Sequence, residues 1–216
     1  MLVLSLGVLL GFWPVDGRAQ QSDRPTIQQR FATKSGRMFA HAMLTTQIRN
    51  DFYDSIGLGI DAGWYPSELL GLEARWAYLF SSLSPAAVDV KEETGLTPDA
   101  RPQHMLMTAG ARWSFGYGKM LVMEDSVVHF DPQLTAHGGI ALAEKRVLPT
   151  ATVGVSLLTH FVGGLQAKLD LAMAMQFEQR NRGWVPSFGF MPTLGFGWGG
   201  TLQDLTDIGS EKEGEG

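Results

Sequence analysis

The clearest feature of the chain is an alternation of apolar residues with polar or small ones at a period of two. Every second residue is apolar in Ile56–Trp64, and the same alternation resumes in Leu70–Phe80 after the turn sequence Tyr65–Glu68. Successive side chains of a β-strand point to opposite faces of the sheet. The pattern therefore predicts a hairpin of two strands, each with one apolar face.

The same alternation returns in further segments, although the first of them is weaker. These segments are Arg37–Ile48, His104–Phe115, Leu134–Leu142, Thr150–Phe161, Leu165–Phe177 and Val185–Trp198. All of them are longer than the roughly 5–6 residues of a soluble strand and reach the length of roughly 9–11 residues that a tilted membrane strand needs. The sequence predicts an all-β fold, an eight-stranded antiparallel up-and-down transmembrane β-barrel. A soluble sandwich or lipocalin-like barrel is the alternative, but it leaves the long strands and their polar second face unexplained.

The connections between these strands differ in length. Ser81–Gln103 contains three prolines and a charged centre, which indicates a long loop after the third strand, whereas the turns after the second and sixth strands, Tyr65–Glu68 and Val162–Gly164, are short. Periplasmic turns of membrane barrels are short and outer loops are long, so we expect the long loop to lie outside the cell. Gly116–Asp131 leaves two alternatives, an extension of strands four and five beyond the membrane or a short helix.

Aromatic residues fall near the predicted ends of the strands, as in the aromatic girdles of membrane barrels. The predicted periplasmic girdle comprises Trp64, Tyr65, Phe115, Tyr117, Phe161 and Trp198, and the predicted outer girdle comprises Tyr78, Phe80, Phe177 and Trp184.

The two ends of the chain differ from the barrel segment in composition. Residues 1–19 combine an apolar run with small residues before Gln20, which predicts a secretory signal peptide, with an uncleaved anchor helix as the alternative. Residues 20–36 are predicted to be a periplasmic lead-in and residues 37–199 the barrel. Residues 200–216 carry five acidic residues and one lysine, a net charge of −4. We expect a disordered acidic tail, with a periplasmic docking segment as the alternative.

Composition narrows the possible functions. The chain has no cysteine, which excludes disulfides, thiolate metal sites and thiol nucleophiles. Its net charge of −5 argues against binding of nucleic acid. Charged residues are only 18% of the chain, and many of its 26 glycines fall inside predicted strands. Glycine in a strand often marks a bend or a close backbone approach, as in a closed barrel.

Charged residues of both signs occupy the face of the strands that the alternation places inside the barrel. They are Asp61, Glu73, Arg75, Arg112, Lys168 and Asp170. The interior of an eight-stranded barrel is just wide enough for side chains, and an unpaired buried ion is costly. We expect an ion-paired plug, and a selective conduit is the alternative.

Catalytic and metal chemistry have weak support in the sequence. Ser156 and His160 share the inward face of one strand, with Asp170 on the next, and these are the ingredients of a hydrolytic triad. A lipid-modifying enzyme needs its triad at the lipid-facing surface, so an interior hydrogen bond is the favoured interpretation. The spacing of the histidines matches no common metal motif, and we predict neither a metal nor a cofactor.

Several short segments, in this order and spacing, resemble a known family. They are Asn50-Asp51-Phe52, Gly63 to Glu73, Tyr117-Gly118-Lys119 and His129-Phe130-Asp131. Together they are similar to the outer-membrane β-barrel domain family of myxobacteria and related deltaproteobacteria. In that family, the tyrosine, proline and glutamate of a turn fit Tyr65, Pro66 and Glu68. The chain departs from the family pattern at Gly116, Pro132 and Gln133.

The resemblance implies a barrel in the outer membrane of a Gram-negative cell, and some members of that family are envelope components of gliding-motility machinery. From this we expect a non-enzymatic structural or interaction role in the cell envelope, in contact with outer-membrane lipids and with other envelope proteins, within a trans-envelope assembly. A narrow channel for small solutes is the alternative, and a lipid-modifying barrel enzyme is the third hypothesis.

Overall fold

The computed structural model describes residues 33–49, 52–96, 101–122, 126–144, 146–180 and 183–201. The predicted signal peptide, residues 20–32 of the lead-in and residues 202–216 of the tail lie outside the described residues. The strands are β1 Met38–Arg49, β2 Tyr53–Trp64, β3 Leu70–Leu83, β4 Gln103–Ser114, β5 Gly118–Val122, β6 Ser126–Ala143, β7 Arg146–His160, β8 Leu165–Arg180 and β9 Gly183–Gly200. A helix, α1, spans Pro85–Thr94, and a short 3-10 helix spans Val162–Gly164.

Strand pairing closes the sheet into a barrel. Neighbours in the chain pair antiparallel from β1 to β4 and from β6 to β9, and the pairs β1–β9 and β4–β6 complete the ring. The strand β5 pairs with β6 and lies outside the ring. The result is a closed eight-stranded antiparallel barrel, and the predicted fold class is confirmed.

The period-two alternation decides which side chains face outward. In β2, Leu58 and Ile60 have exposed fractions of 60% and 59%, whereas Asp61 has 1%. The same split holds along β3, where Trp76 and Tyr78 are exposed and Arg75 is buried. The exterior of the barrel is therefore apolar and much of the interior is polar, the reverse of a soluble protein.

The two ends of the barrel are defined by its connections. We call the lower end the one where β1 begins at Met38; it also carries the β2–β3 turn and the β7–β8 turn. The upper end carries α1 and the connections β1–β2, β6–β7 and β8–β9.

Several strands are longer than the alternation predicted. β6 begins at Ser126, eight residues before the predicted start at Leu134, and β8 continues through Glu178 to Arg180. The predicted segment Leu165–Phe177 therefore ends too early, since pairing with β9 continues to Arg180, opposite Gly183. Polar residues ended the apolar alternation in the sequence, but a ladder of backbone hydrogen bonds does not require apolar side chains.

The prediction that Ser81–Gln103 is only a loop is wrong. Its first residues continue β3 to Leu83, and its centre forms α1. Pro85 occupies the first turn of this helix, where its missing N–H costs nothing. Gly95 ends the helix in the left-handed conformation and donates its N–H to the carbonyl of Lys91. Among the described residues, no helix has the length and apolar character needed to cross a bilayer.

The ambiguous stretch Gly116–Asp131 is an extension of the sheet, so the helical alternative is wrong. Gly118–Val122 pairs with Ser126–Phe130 and forms a hairpin that projects beyond β4 at the lower end. The ring of Phe130 packs closely against the backbone of Gly118, where a Cβ atom would lie only 2.2 Å from the ring. The rings of Tyr117 and His129 stack with their centroids 6.0 Å apart.

Candidate functional site

The six inward-facing charged residues predicted from the sequence lie in the interior, within one layer in the lower half of the barrel. Antiparallel pairing brings Asp61 of β2 directly opposite Arg75 of β3. Lys168 and Asp170 face the same interior from β8, two residues apart. We call the set Asp61, Glu73, Arg75, Arg112, Lys168 and Asp170 the central charge cluster, and all six are at most 6% exposed.

Two arginines bind two carboxylates at the centre of this cluster. Arg112 Nη2 lies 2.6 Å from Glu73 Oε2, and Arg75 Nη2 lies 2.6 Å from Asp170 Oδ2. Arg75 also donates its Nε–H to Glu73, two residues earlier on the same strand. Hydrogen bonds between ionised groups of this kind are the strong ones in proteins.

Lys168 joins the remaining carboxylate to the same layer. Its ammonium group forms an ion pair with Asp61 and lies 3.5 Å from Asp170 Oδ2 and 3.7 Å from Glu73 Oε2. The cluster holds three cations and three anions, so its formal charge is zero. Mutual neutralisation is what permits so many ions in an interior closed to solvent.

Two histidines and a glutamine outside the predicted set of residues complete the network. His41 Nδ1 lies 2.7 Å from Asp61 Oδ1, and His137 Nε2 lies 3.2 Å from Glu73 Oε1. His41 Nε2 also lies 3.0 Å from Gln166 Oε1. The alternation assigns all three to the inward face, so this signal was present in the sequence. The sequence did not indicate which groups these side chains bind, because that depends on which strands lie next to each other.

An apolar layer closes the barrel above the central charge cluster. It comprises Met43, Ala77, Leu79, Leu106, Ala141, Ala143, Leu148, Ala172 and Met191, all buried. A cavity between this layer and Arg75 measures about 10 Å³, which is near the lower limit for a single water molecule. Further up, Gln103 Nε2 donates to Gln176 Oε1 at 2.5 Å, across the interior.

A second polar layer closes the lower end. Lys34, just before β1, inserts its side chain into the mouth of the barrel, where its ammonium group binds Asp131 and Ser114. Gln133 Nε2 donates to Ser114 Oγ at 3.1 Å and reaches Asp131 Oδ2 at 3.3 Å. Lys34 lies in the predicted lead-in, and the sequence showed no sign of this layer because residue 34 precedes the alternating pattern.

Tyr65 does not belong to the aromatic girdle, and that prediction is wrong. Its side chain is 1% exposed and packs inside the lower mouth, with its ring centroid 5.0 Å from that of Phe39. Lys34 Nζ lies 5.2 Å from the centre of the same ring. Burial raises the pKa of the Tyr65 hydroxyl, and the charge of Arg112 acts in the opposite direction. The backbone leaves the strand after Trp64, so the alternation no longer predicts the side-chain direction.

The other girdle residues divide by exposure. Trp64, Tyr78, Phe115 and Phe161 are between 41% and 53% exposed on the outer surface. Tyr117 and Trp198 are half-buried. Tyr78 lies on the upper half of β3, and the others lie at the lower end.

The β2–β3 turn anchors the residues that precede β1. The carboxylate of Glu68 accepts the backbone N–H of Lys34 at 3.1 Å and that of Ser35 at 3.0 Å. The backbone of Tyr65 exchanges bonds with the same segment, accepting from Gly36 and donating to Arg37. The turn thus fixes the path by which Lys34 reaches the mouth.

The three triad ingredients are not arranged as a triad. Ser156 donates its hydroxyl hydrogen directly to Asp170. His160 instead accepts from Gln166 Nε2, 3.3 Å from its Nδ1. A triad needs the histidine between the serine and the carboxylate, and all three groups here are buried in the interior. Within the described ranges, no group of three or more His, Asp or Glu side chains is placed to hold a metal ion.

In comparisons with known proteins, the chain is similar to solved structures of β-barrels. No family model matches the chain, and no curated protein matches it significantly. Among solved structures, a de novo designed transmembrane β-barrel has 12% identity and a TM-score of 0.38 over 77% of this chain and 98% of that one. The N-terminal β-barrel domain of OprF from Pseudomonas aeruginosa has 12% identity and a TM-score of 0.40 over the same shares.

The fold assignment rests on the strand pairing. A closed ring of strands with an apolar exterior and a paired polar interior is the arrangement of a membrane-spanning β-barrel, because closure leaves no backbone group unpaired towards lipid.

Proposed function

We propose that this chain is an integral outer-membrane β-barrel with a structural or interaction role in the cell envelope, acting neither as a solute channel nor as an enzyme. Its exterior is in contact with lipid, and its signal peptide directs it across the inner membrane. The resemblance to the myxobacterial barrel family suggests a trans-envelope assembly, of the gliding-motility type, as its setting.

The observation that carries the proposal is the closed interior. The lower layer around Lys34, the central charge cluster and the apolar layer around Leu79 follow one another along the axis of the barrel. A conduit needs a continuous path lined by groups that exchange partners with the solute, whereas these charged groups are already paired with each other. With the interior filled, the surfaces left for function are the lipid-facing wall and the two ends.

The lower hairpin supplies a surface suited to a protein partner. Within the described part of the chain, β5 pairs with β6 and with no other strand. An unpaired strand edge can accept an extended segment of another chain through backbone hydrogen bonds. Met120, in the middle of β5, is 54% exposed.

A site-specific crosslink tests the interaction role. A photo-reactive phenylalanine in place of Met120 should crosslink in intact cells to envelope proteins at a fixed ratio. The matched control is the same substitution at Met107, which is 44% exposed on the lipid-facing wall, and it should crosslink to lipid alone. Equal protein crosslinking at both positions, or none at Met120, would count against an interaction through the hairpin.

Planar-bilayer recording separates this role from the channel alternative. The purified full chain should show no sustained conductance steps. If steps appear and their size changes in the Lys168→Met variant, the interior conducts and the proposal fails. For the enzyme alternative, purified protein should release no fatty acid from phospholipid vesicles. Release that is lost in His160→Ala would establish hydrolysis.

A further inference from the structure

A cavity of about 100 Å³ lies at the lower end of the barrel, beside Lys34 of the lower polar layer. It is enclosed by the segment before β1, the β7–β8 turn and the last residues of β9. Its polar lining includes Thr33, Lys34, Arg37 and His160. The volume is well above the roughly 10–15 Å³ that one water molecule needs.

Positively charged side chains line the cavity, and the carboxylates near them already have hydrogen-bond partners. Asp131 binds the ammonium group of Lys34, and Glu68 accepts the backbone N–H groups of Lys34 and Ser35. The guanidinium of Arg37 makes no hydrogen bond or ion pair with any residue in the described part of the chain, and it is only partly exposed. Arginine offers a planar fork of donors that suits a carboxylate or a phosphate.

A second donor on the lining follows from the hydrogen bonds of His160. Its Nδ1 accepts from Gln166 Nε2 at 3.3 Å. In a neutral imidazole, one nitrogen accepts and the other carries the hydrogen, so Nε2–H of His160 is left as a donor. Lys34, Arg37 and His160 all line the cavity, so the three groups surround one space.

Glycines keep this space open. Gly163 and Gly164 take φ values of 74° and 79° in the β7–β8 turn, a conformation that other residues rarely adopt. A Cβ atom on Gly199 would lie 2.2 Å from Gln166 Nε2. Any side chain there would displace the amide that orients His160, so the cavity depends on glycine at this position.

We propose that this cavity binds a single phosphate-type oxyanion, with Arg37 as its counter-ion and His160 as a second hydrogen-bond donor. The oxyanion has two possible sources. One is free phosphate, and the other is the phosphate group of a lipid. Met38 and Phe161 also line the cavity, and they are 45% and 41% exposed on the outer wall of the barrel. This position brings the cavity to the level at which lipid headgroups lie.

Titration of the isotopically labelled full chain, in a detergent without phosphate such as an amine oxide, tests the free anion. Inorganic phosphate should shift the amide resonances of Gly163 and Gly164 and the side-chain Nε–H of Arg37 saturably. Chloride at equal ionic strength should not. The variant Arg37→Gln should weaken binding at least tenfold, and His160→Gln should weaken it less.

The control is Lys119→Gln, which removes one positive charge from an exposed position at the same end of the barrel. It should bind phosphate as the unmodified chain does. Unchanged affinity in Arg37→Gln, or equal weakening in Lys119→Gln, would overturn the proposal in favour of unspecific attraction. The slower gel migration of unheated samples, or far-ultraviolet circular dichroism, verifies that each variant is folded.

A lipid arm distinguishes the two sources. The full chain is placed in nanodiscs of phosphatidylcholine with or without phosphatidylglycerol, and bound lipid is counted by native mass spectrometry after release into detergent. Retention of one phospholipid, lost in Arg37→Gln and kept in Lys119→Gln, identifies a headgroup. Saturable phosphate shifts without lipid retention identify the free anion, and the absence of both refutes the site.

Discussion

Replacement of Glu73 by glutamine removes one charge from the centre of the barrel and keeps the shape of the side chain. Glu73 accepts from Arg75, pairs with Arg112 at 2.6 Å and lies 3.2 Å from His137 Nε2. After the substitution, the central charge cluster holds three cations and two anions. The excess positive charge is buried, and solvent cannot compensate it.

The distances set the scale of the effect. At an effective dielectric constant of about 20, the 2.6 Å contact between Arg112 and Glu73 corresponds to roughly 6 kcal/mol of attraction. Desolvation of both ions offsets part of that value in the intact protein, whereas breaking a buried pair leaves the second ion desolvated and costs about 3–5 kcal/mol. We expect Glu73→Gln to lower the free energy of unfolding by about 3–5 kcal/mol, a large part of the roughly 5–15 kcal/mol of a typical domain.

Urea unfolding of the barrel in lipid vesicles, followed by tryptophan fluorescence, measures this change. Glu93→Gln is the matched control, because Glu93 lies exposed on α1, and it should change the free energy by less than about 0.5 kcal/mol. The double variant Glu73→Gln with Arg112→Gln restores equal numbers of cations and anions. Its loss should be smaller than the sum of the two single losses.

If Glu73→Gln lowers the free energy of unfolding by less than about 1 kcal/mol, or by no more than Glu93→Gln does, Glu73 does not neutralise the buried cations as described. Strict additivity in the double variant would also contradict this neutralisation, because it would mean that Glu73 and Arg112 do not interact across the interior.

Three further predictions follow from other parts of the barrel. A Cβ atom on Gly139 would lie 2.0 Å from a backbone oxygen of β4, whereas one on Gly138 would meet nothing within 4 Å. In urea unfolding, Gly139→Ala should therefore lower the free energy of unfolding by about 1–3 kcal/mol, and Gly138→Ala should hardly change it. In single-tryptophan variants, bromine deep in the lipid chains should quench Trp76 most strongly, whereas bromine near the headgroups should quench Trp184, at the beginning of β9; equal quenching profiles would contradict the orientation of the barrel in the bilayer. Lys34→Met should lower stability by about 3–5 kcal/mol, because it leaves its carboxylate partner buried without a counter-ion. Asparagine in place of that partner should recover most of the loss.

The alternation along the chain was sufficient to assign the two faces of every barrel strand. Leu58 and Ile60 face outward and Asp61 inward because consecutive side chains of an extended backbone must point in opposite directions. This rule is local, so it needs no knowledge of which strands pair. It also places His41 and His137 inside. A search of the inward face that included histidine, and not only the charged residues, would have found them.

The same rule fails where the backbone leaves the strand. Tyr65 follows Trp64 directly, yet its ring lies inside the lower mouth because the turn changes the direction of the chain. Lys34 is also buried although it precedes β1. In both cases, the position of the side chain depends on hydrogen bonds between the β2–β3 turn and residues 34–37. These bonds join segments about 30 residues apart.

The amino-acid sequence determined the class of fold, the inward and outward faces and the identity of the six central charges, because each follows from spacing within a single strand. Tertiary structure decided which charges meet. Arg75 binds Asp170, 95 residues away, and Lys168 binds Asp61. These contacts exist only once β1 pairs with β9 and β4 pairs with β6, since closure of the ring brings opposite strands within reach of one another across a narrow interior.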